Sequence, residues 1–232
     1  MSGEWETAYL QLFQLHHAST DGIAKAKGYF LQEGDVAKAL AALPLSCRVE
    51  RKLLQYHTLP RQTAVERVLG FDTKRFYYHA FQSYLFNVCL TYRIQTFGDQ
   101  PMIGDFVLAD KKDVSAQIIN ADTIGTYTMT DVVLPLLGSL SNIPAPLRDF
   151  VLELLQQCGF ASLEIYQEAC LKVKLRGTYR SIVVQPQEMT WTKDIENYIV
   201  QVDFTLPPGS FATMALYAAM HQLPKTGLKV SE

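Results

Sequence analysis

An α+β protein with a mixed or antiparallel sheet is predicted, on three observations. The apolar share of 48% against a charged share of 19% describes a chain that folds around a core. Helical patterns fill its first part and strand patterns its last. No strand–helix–strand rhythm, the mark of a parallel sheet, runs through it.

In Asp21–Leu43 the spacing predicts two short helices broken at Gly34-Asp35, with the Asp35 carboxylate capping the second. A further helix is expected from Cys47 to Tyr56. Leu59-Pro60-Arg61 then marks a boundary, because the residue before proline is forced out of helical geometry. After Asp72-Thr73, apolar residues at Tyr77, Ala80, Phe81, Tyr84, Leu85 and Val88 keep helical spacing, which predicts one buried face up to about Arg93 and a stop near Gly98. On that pattern the aromatic set Phe76, Tyr77, Tyr78, Phe81, Tyr84 and Phe86 reads as core rather than as a base-stacking platform. Gln82, Ser83 and Asn87 are expected to satisfy buried backbone groups.

Ile103–Ala109 reads as a short strand, 111–122 as a polar connection, and Val132–Gly138, cut by Pro135, as a strand end or turn. Pro146 suits the first turn of a helix over Leu147–Gln157, with Gly159 ending it. Ser181–Gln185 is a β-branched run. In Tyr198–Phe204, polar Gln201 and Asp203 alternate with Val200, Val202 and Phe204, the period of a half-buried strand. Pro207-Pro208-Gly209 turns the chain, and Ser210 is placed to cap a last helix to about Gln222.

Composition excludes several classes. A net charge of −2 lacks the excess of a protein that grips nucleic acid through many phosphates. The four cysteines form no CxxC pair, which argues against a zinc knuckle or disulfide scaffold and for small buried apolar residues. His16-His17 and His57 have no carboxylate or cysteine at ligand spacing, so no metal is expected. Neither a membrane-spanning run nor a secretory pattern is read in the sequence, and an intracellular protein is expected.

Several segments carry a more specific message. His79–Asn87 (HAFQSYLFN) resembles the A-x-Q-S-x-[LIV]-[FW]-N helix of the TruD-type pseudouridine synthases, and Gly104–Leu108 resembles their G-D-x-[VL] strand. Val132–Gly138 is similar to V-[VI]-x-P-[LM]-x-G, and Gly177–Arg180 to G-x-[YF]-R ahead of Pro186. Phe204–Thr213 (FTLPPGSFAT) resembles F-x-L-P-x-[GS]-S-[FY]-A-T, the most specific of the set. The resemblance covers about residues 20–224. It implies a pseudouridine-synthase-like mixed sheet, here partial, interrupted by an inserted α/β domain: 1–58 and 172–232 belonging to the catalytic domain, 59–171 to the insertion.

The resemblance also implies an activity, the isomerisation of uridine in tRNA or other structured RNA, with neither cofactor nor metal. A carboxylate can serve as nucleophile or base once the target base is flipped into a pocket that excludes water. In the family that aspartate lies in a G-x-K-D-x-x-A-x-x-Q segment upstream of N-Y-F-G-x-Q-R-F-G, and neither segment is present here. Lys112-Asp113-Val114-Ser115-Ala116-Gln117 reproduces the Lys-Asp pair and the alanine, but it lacks the glycine and its glutamine falls too early. Asp113 therefore reads as part of a solvated charged loop. The family's A-T-x-x-x-R-E is also altered, to Ala212-Thr213-Met214-Ala215-Leu216-Tyr217-Ala218.

The chain alone is thus expected to be inactive, either as one portion of a synthase whose aspartate lies elsewhere, on a second polypeptide for example, or as an inactive relative kept for RNA or ribonucleoprotein binding. Lys74, Arg75 and Arg93 flanking the aromatic helix, and Arg180 in its motif, are the first candidates for phosphate contact. Ser210, Phe211 and Thr213 are the candidates at the N-terminus of the last helix, where free amides can face a phosphate.

Overall fold

The computed structural model describes residues 2–11, 20–108 and 116–222, and the chain divides into two compact units, Met1–Ala80 and Phe81–Glu232. The first unit is helical: α1 (Ser2–Gln11), α2 (Asp21–Leu31), α3 (Val36–Ala42), α4 (Arg48–Gln55), α5 (Arg61–Val68) and the start of α6 (Phe71–Phe97). Its short helices follow from local chemistry. Gly34 takes φ +69°, which ends α2, and the Asp35 carboxylate accepts from the Lys38 amide at 2.9 Å to open α3, as predicted. Pro60 stands at the N-cap of α5, a helix the sequence reading did not assign.

Tyr9, Leu53, Leu54, Ala64 and Val65 form the centre of this unit's core. The polar atoms that enter it are matched: Tyr9 donates its hydroxyl to the Leu53 carbonyl at 2.8 Å, and buried Lys27 lies 3.4 Å from Glu50. Arg61 covers the Tyr9 ring while its Nε donates to Glu6 at 2.8 Å.

The second unit is built on a four-stranded antiparallel sheet with the order β2–β1–β3–β4, where β1 is Phe106–Val107, β2 Gln117–Ile118, β3 Val132–Leu136 and β4 Thr178–Ser181. The α+β expectation holds. Two further helices, α7 (Arg148–Gln157) and α8 (Leu163–Lys172), belong to this unit. Pro146 sits in the short 3-10 turn that leads into α7, and Gly159 ends it at φ +89°. Ser162, whose hydroxyl accepts from the Ile165 amide, opens α8. The remaining strands, β5 (Gln187–Asp194) and β6 (Ile199–Thr205), pair with each other in a hairpin and, among the described residues, with no other strand. The Asp194 carboxylate accepts from the amide and side chain of Asn197 in the hairpin turn, and these bonds hold its carboxyl below the ordinary range. Last comes α9 (Ala212–Gln222).

Two expectations are corrected. Val132–Leu136 is no strand end but a central strand, buried at every position, with Pro135 inside it. The Ile182 amide donates to the Val132 carbonyl, so with the observed register Leu134 and Leu136 also face β4 with their hydrogen-bonding groups. Pro135 faces the other way, where β1 pairs only with Val132 and Val133, so no ladder bond is lost.

The second correction concerns α6. Its buried residues are Gln82, Leu85, Phe86, Cys89 and Arg93, a helical stripe rotated from the expected one; Tyr77, Ala80, Tyr84 and Phe76 are exposed. The apolar count along the helix misleads because two polar residues, Gln82 and Arg93, occupy the inward face. Arg93 is fully buried: Nε and Nη2 donate to the two Asp105 oxygens at 3.0 and 2.7 Å, and its other bonds go to the carbonyls of Gly98 and Gln100. Asp105 in turn accepts from the Met102 amide.

The cysteines also behave as expected only in part. Cys89 and Cys170 are buried, and burial pushes the Cys89 thiol up to about 11, whereas Cys47 and Cys158 are half-buried. Under native conditions a thiol reagent should modify Cys47 and Cys158 well before Cys89 and Cys170, which peptide mapping of the labelled protein would establish. Replacing Arg93 by Ala leaves the Asp105 carboxylate buried and unpaired, with an expected loss of about 3–5 kcal/mol in urea unfolding.

Candidate functional site

Three of the recognisable segments meet at the end of β3. Beyond Pro135 lie the buried Leu136 and Leu137 carbonyls, the first at the end of the pairing with β4 and the second past it, and side chains donate to both. Gln82 of α6 donates its amide to both, at 3.2 and 2.8 Å. Tyr166 of α8 donates its hydroxyl to the Leu137 carbonyl at 2.9 Å. Ser141 accepts from the Gly138 amide at 2.9 Å, and Gln167 donates to the Ser141 carbonyl at 3.0 Å.

Immediately after β3 the backbone of 138–140 lies against that of 175–177, with the Ser139 and Leu140 amides donating to the Leu175 and Arg176 carbonyls. The approach is closer than any side chain allows. A Cβ on Gly138 would stand 2.3 Å from the Gly177 nitrogen, and one on Gly177, itself at φ +93°, would stand 2.1 Å from Ser141 Oγ. Gly177 then feeds directly into β4, which carries Tyr179 and Arg180.

Of the predicted contact residues, Arg180 is half-buried, its guanidinium 5.3 Å from the centre of the Phe86 ring. It thus sits on the sheet edge next to the β3 junction. Arg93 does not turn outward; its guanidinium lies in the core with Asp105, which corrects its place among phosphate-facing candidates. Lys74 is half-buried and Arg75 exposed in the first turns of α6, within the first unit. Ser210 is half-buried and Phe211 and Thr213 exposed. There the helix opens from Phe211, whose carbonyl accepts from the Met214 and Ala215 amides, one residue beyond the expected Ser210 cap. Asp113 lies outside the described residues.

Two open depressions mark the surface of this unit. One, of about 470 Å³, runs along α6 beside Tyr84, Asn87, Thr91 and Phe150, where the Tyr92 and Phe150 rings stack at 3.8 Å. The other, of about 230 Å³, lies between Ser139 and the Glu164 and Glu168 side chains of α8. Glu164 is exposed, and the Ser162 hydroxyl holds its carboxyl below the usual range, the condition of a solvated carboxylate and not of an acid tuned for proton transfer. Among the described residues no group of three His, Cys, Asp or Glu is gathered to hold a metal ion, and no helix is long and apolar enough to cross a membrane.

A model of the family "tRNA pseudouridine synthase D (TruD)" matches residues 1–217. The chain belongs to the TruD family. Among its relatives is a pseudouridylate synthase 7 homolog of Bos taurus, 25% identical over 225 residues, an alignment covering 84% of this chain and 34% of that protein. Another is the multisubstrate pseudouridine synthase 7 of Schizosaccharomyces pombe, 23% identical over 288 residues, covering 98% of this chain and 42% of the relative. The crystal structure of a Methanosarcina mazei protein described as a TruD-type tRNA pseudouridine synthase superposes with a TM-score of 0.72 at 22% identity, over 94% of this chain and 55% of that one. The chain thus spans about a third of the length of the vertebrate relatives it matches.

Within this TruD-family chain, the segments that carry the resemblance have visible structural work. Gln82 of the Q-S helix, Gly138 at the end of the proline strand and Gly177 ahead of Tyr179-Arg180 converge on one junction, and Asp105 of the Gly-Asp segment pairs with Arg93. Sequence reading found Gln82 by its polarity on an apolar helix. It did not find Tyr166, because a lone tyrosine at helical spacing gives no sign of where its hydroxyl points. Gly138→Ala should destabilise the protein by about 3 kcal/mol, since a backbone nitrogen cannot move aside as a flexible side chain can; urea unfolding followed by circular dichroism measures it.

Proposed function

We propose that this chain is one portion of a TruD-type RNA pseudouridine synthase, and that it forms the framework and part of the RNA-facing surface while the catalytic aspartate is supplied by a Gly-x-Lys-Asp segment that its own sequence lacks. The observation that carries this reading is the family match over residues 1–217, in a chain whose motif residues are assembled but whose sequence holds no such segment. Residues 59–171 are assigned to the inserted domain, 1–58 and 172–232 to the catalytic domain.

The chemistry asks for a carboxylate that engages ribose or base after the glycosidic bond is weakened, in a site from which RNA itself excludes water. It requires neither metal nor cofactor. On this reading the residues of this chain bind and orient. Arg180, held at the sheet edge over Phe86, and Lys74 and Arg75 at the start of α6 neutralise phosphates, while Ser210, Phe211 and Thr213 present the amides at the N-terminus of α9. The substrate class is structured RNA, tRNA included, and the setting is intracellular.

A second reading rests on its own observation: Tyr217 and Ala218 stand where the family has Arg-Glu, as drift after loss of catalysis would produce. It makes the full assembly an RNA- or ribonucleoprotein-binding protein. Assaying the purified native assembly for pseudouridine formation in bulk tRNA separates the two, because only the first gives product.

The isolated chain should form no pseudouridine in that assay. Activity of the chain alone that disappears in Asp113→Asn would overturn the proposal. The chain should bind RNA weakly with a shallow salt slope, and Arg180→Ala should lower that slope by about one unit without changing the circular dichroism spectrum, as removal of a single phosphate contact does.

A further inference from the structure

α6 turns two neighbouring rows of side chains toward the groove beside α7. At i, i+4, i+8 spacing one row is Tyr84, Val88 and Tyr92, and the next is Asn87, Thr91 and Gln95. The first row is apolar and aromatic at both ends; the second carries a carboxamide at both ends. Phe150 of α7 lies across the groove with its ring stacked on that of Tyr92, 5° from parallel. The spacing of the aromatics along α6 argued for a core and against a base-stacking platform, but for Tyr84 that ground is gone, because its side chain is 51% exposed. Its ring rests against Phe81, which packs on Phe160 and Tyr166, so it is held in place before any ligand arrives. Asn87, expected to satisfy a buried backbone group, is exposed, as is Gln95, and neither carboxamide has a hydrogen-bond partner among the described residues.

We propose that this groove takes unpaired bases of RNA, their ring faces against the row of Tyr84 and Tyr92 and their edges toward the carboxamides of Asn87 and Gln95. The inference rests on the synthase reading above and adds a hold on the strand that uses no charge. The lining selects the ligand. A carboxamide offers both donors and an acceptor, which suits the mixed edge of a base, and aromatic rings stack on every base. No charged side chain lines the groove, so a phosphate, a carboxylate or a basic side chain finds no counter-charge there. An apolar side chain of a protein partner would strip water from the two carboxamides and leave them unmatched. Bases in a duplex keep their ring faces stacked, so the strand must be single at this place. Asn87 and Gln95 stand about 12 Å apart along the helix axis, so they serve successive bases of a strand and not one base.

Fluorescence anisotropy of a labelled oligouridylate on the full chain, read across a salt series, tests this. Tyr84→Ala should weaken binding about tenfold, as loss of a stacking ring does, and Asn87→Ala about fivefold, as loss of one hydrogen bond does. In both, the slope of log affinity against log salt should stay that of the parent, because no phosphate contact is lost. Tyr84→Phe keeps the ring and should bind as the parent does. A fully paired RNA duplex should bind the parent and the variants alike. The urea unfolding curves of the variants should match the parent, because Tyr84 and Asn87 are exposed. On the unaltered chain, photo-cross-linking from 4-thiouridine in the oligonucleotide should place adducts in the tryptic peptide Phe76–Arg93, at Tyr84, Asn87 or Tyr92.

Parent-like binding by Tyr84→Ala, a loss that comes with a changed salt slope, or an equal loss on duplex RNA overturns the groove. So does a parent chain that does not bind the oligonucleotide, or one whose adducts lie only in other peptides. Pseudouridine formation by the native assembly is scored separately. An active assembly whose KM for tRNA is unmoved by Tyr84→Ala sinks the groove and leaves the synthase reading intact. A groove that binds as described, in an assembly that forms no pseudouridine, sinks the synthase reading alone.

Discussion

The second unit depends on how the buried carbonyls at the end of β3 find donors. A proline inside a fully buried strand removes an amide, and the two residues that follow it carry carbonyls into a place where water cannot reach. An unmatched buried carbonyl costs about 1–3 kcal/mol, so donors are compulsory there. Gln82 and Tyr166 provide them from two different helices, while Gly138 and Gly177 let the two backbones close behind the strand. α6, α8, β3 and the approach to β4 are thereby fixed to one another through a few directional bonds. Apolar packing alone, which is tolerant of sliding, would not set that register.

This requirement explains which parts of the fold were legible in sequence. Elements governed by local chemistry were: the Asp35 cap, the helix stop at Gly159 and the strand alternation of Val200, Val202 and Phe204 depend on residues a few positions apart. Elements governed by distant partners were not. Pro135 marks a break only if both flanks of its strand are paired, and the short β1 leaves one flank open. The face of α6 was misassigned because the inward stripe includes Gln82 and Arg93, whose burial makes sense only once the Leu136 and Leu137 carbonyls and the Asp105 carboxylate are known to lie opposite. The strand β5, with Thr190, Thr192 and Lys193 interleaved among Met189 and Trp191, showed too little apolar character to declare itself.

The candidate site was legible in a different sense. Family resemblance singled out the segments, and several of their residues turn out to hold the framework together. Gln82, Gly138, Gly177 and Asp105 each fill a place where substitution would cost stability, and Arg93, expected at the surface, anchors the loop around Gly98 and Gln100. Resemblance carried by such residues speaks strongly for the fold and only indirectly for the reaction. Phe211 and Thr213 are exposed and Arg180 half-buried, and it is only the proposed function that gives them a contact with RNA.

Two features of the chain are independent of each other. Its sequence lacks the Gly-x-Lys-Asp segment that the proposed chemistry needs, and its hairpin leaves Trp191 and Val200 largely exposed. The first concerns reactivity and the second packing, and neither entails the other. A chain that had simply lost its catalytic motif by drift could still cover its own core, and a chain that merely exposed a hairpin could still carry its own aspartate. The missing Gly-x-Lys-Asp segment therefore bears on the proposed reaction, and the exposure of Trp191 and Val200 on packing, so each stands or falls on its own measurement.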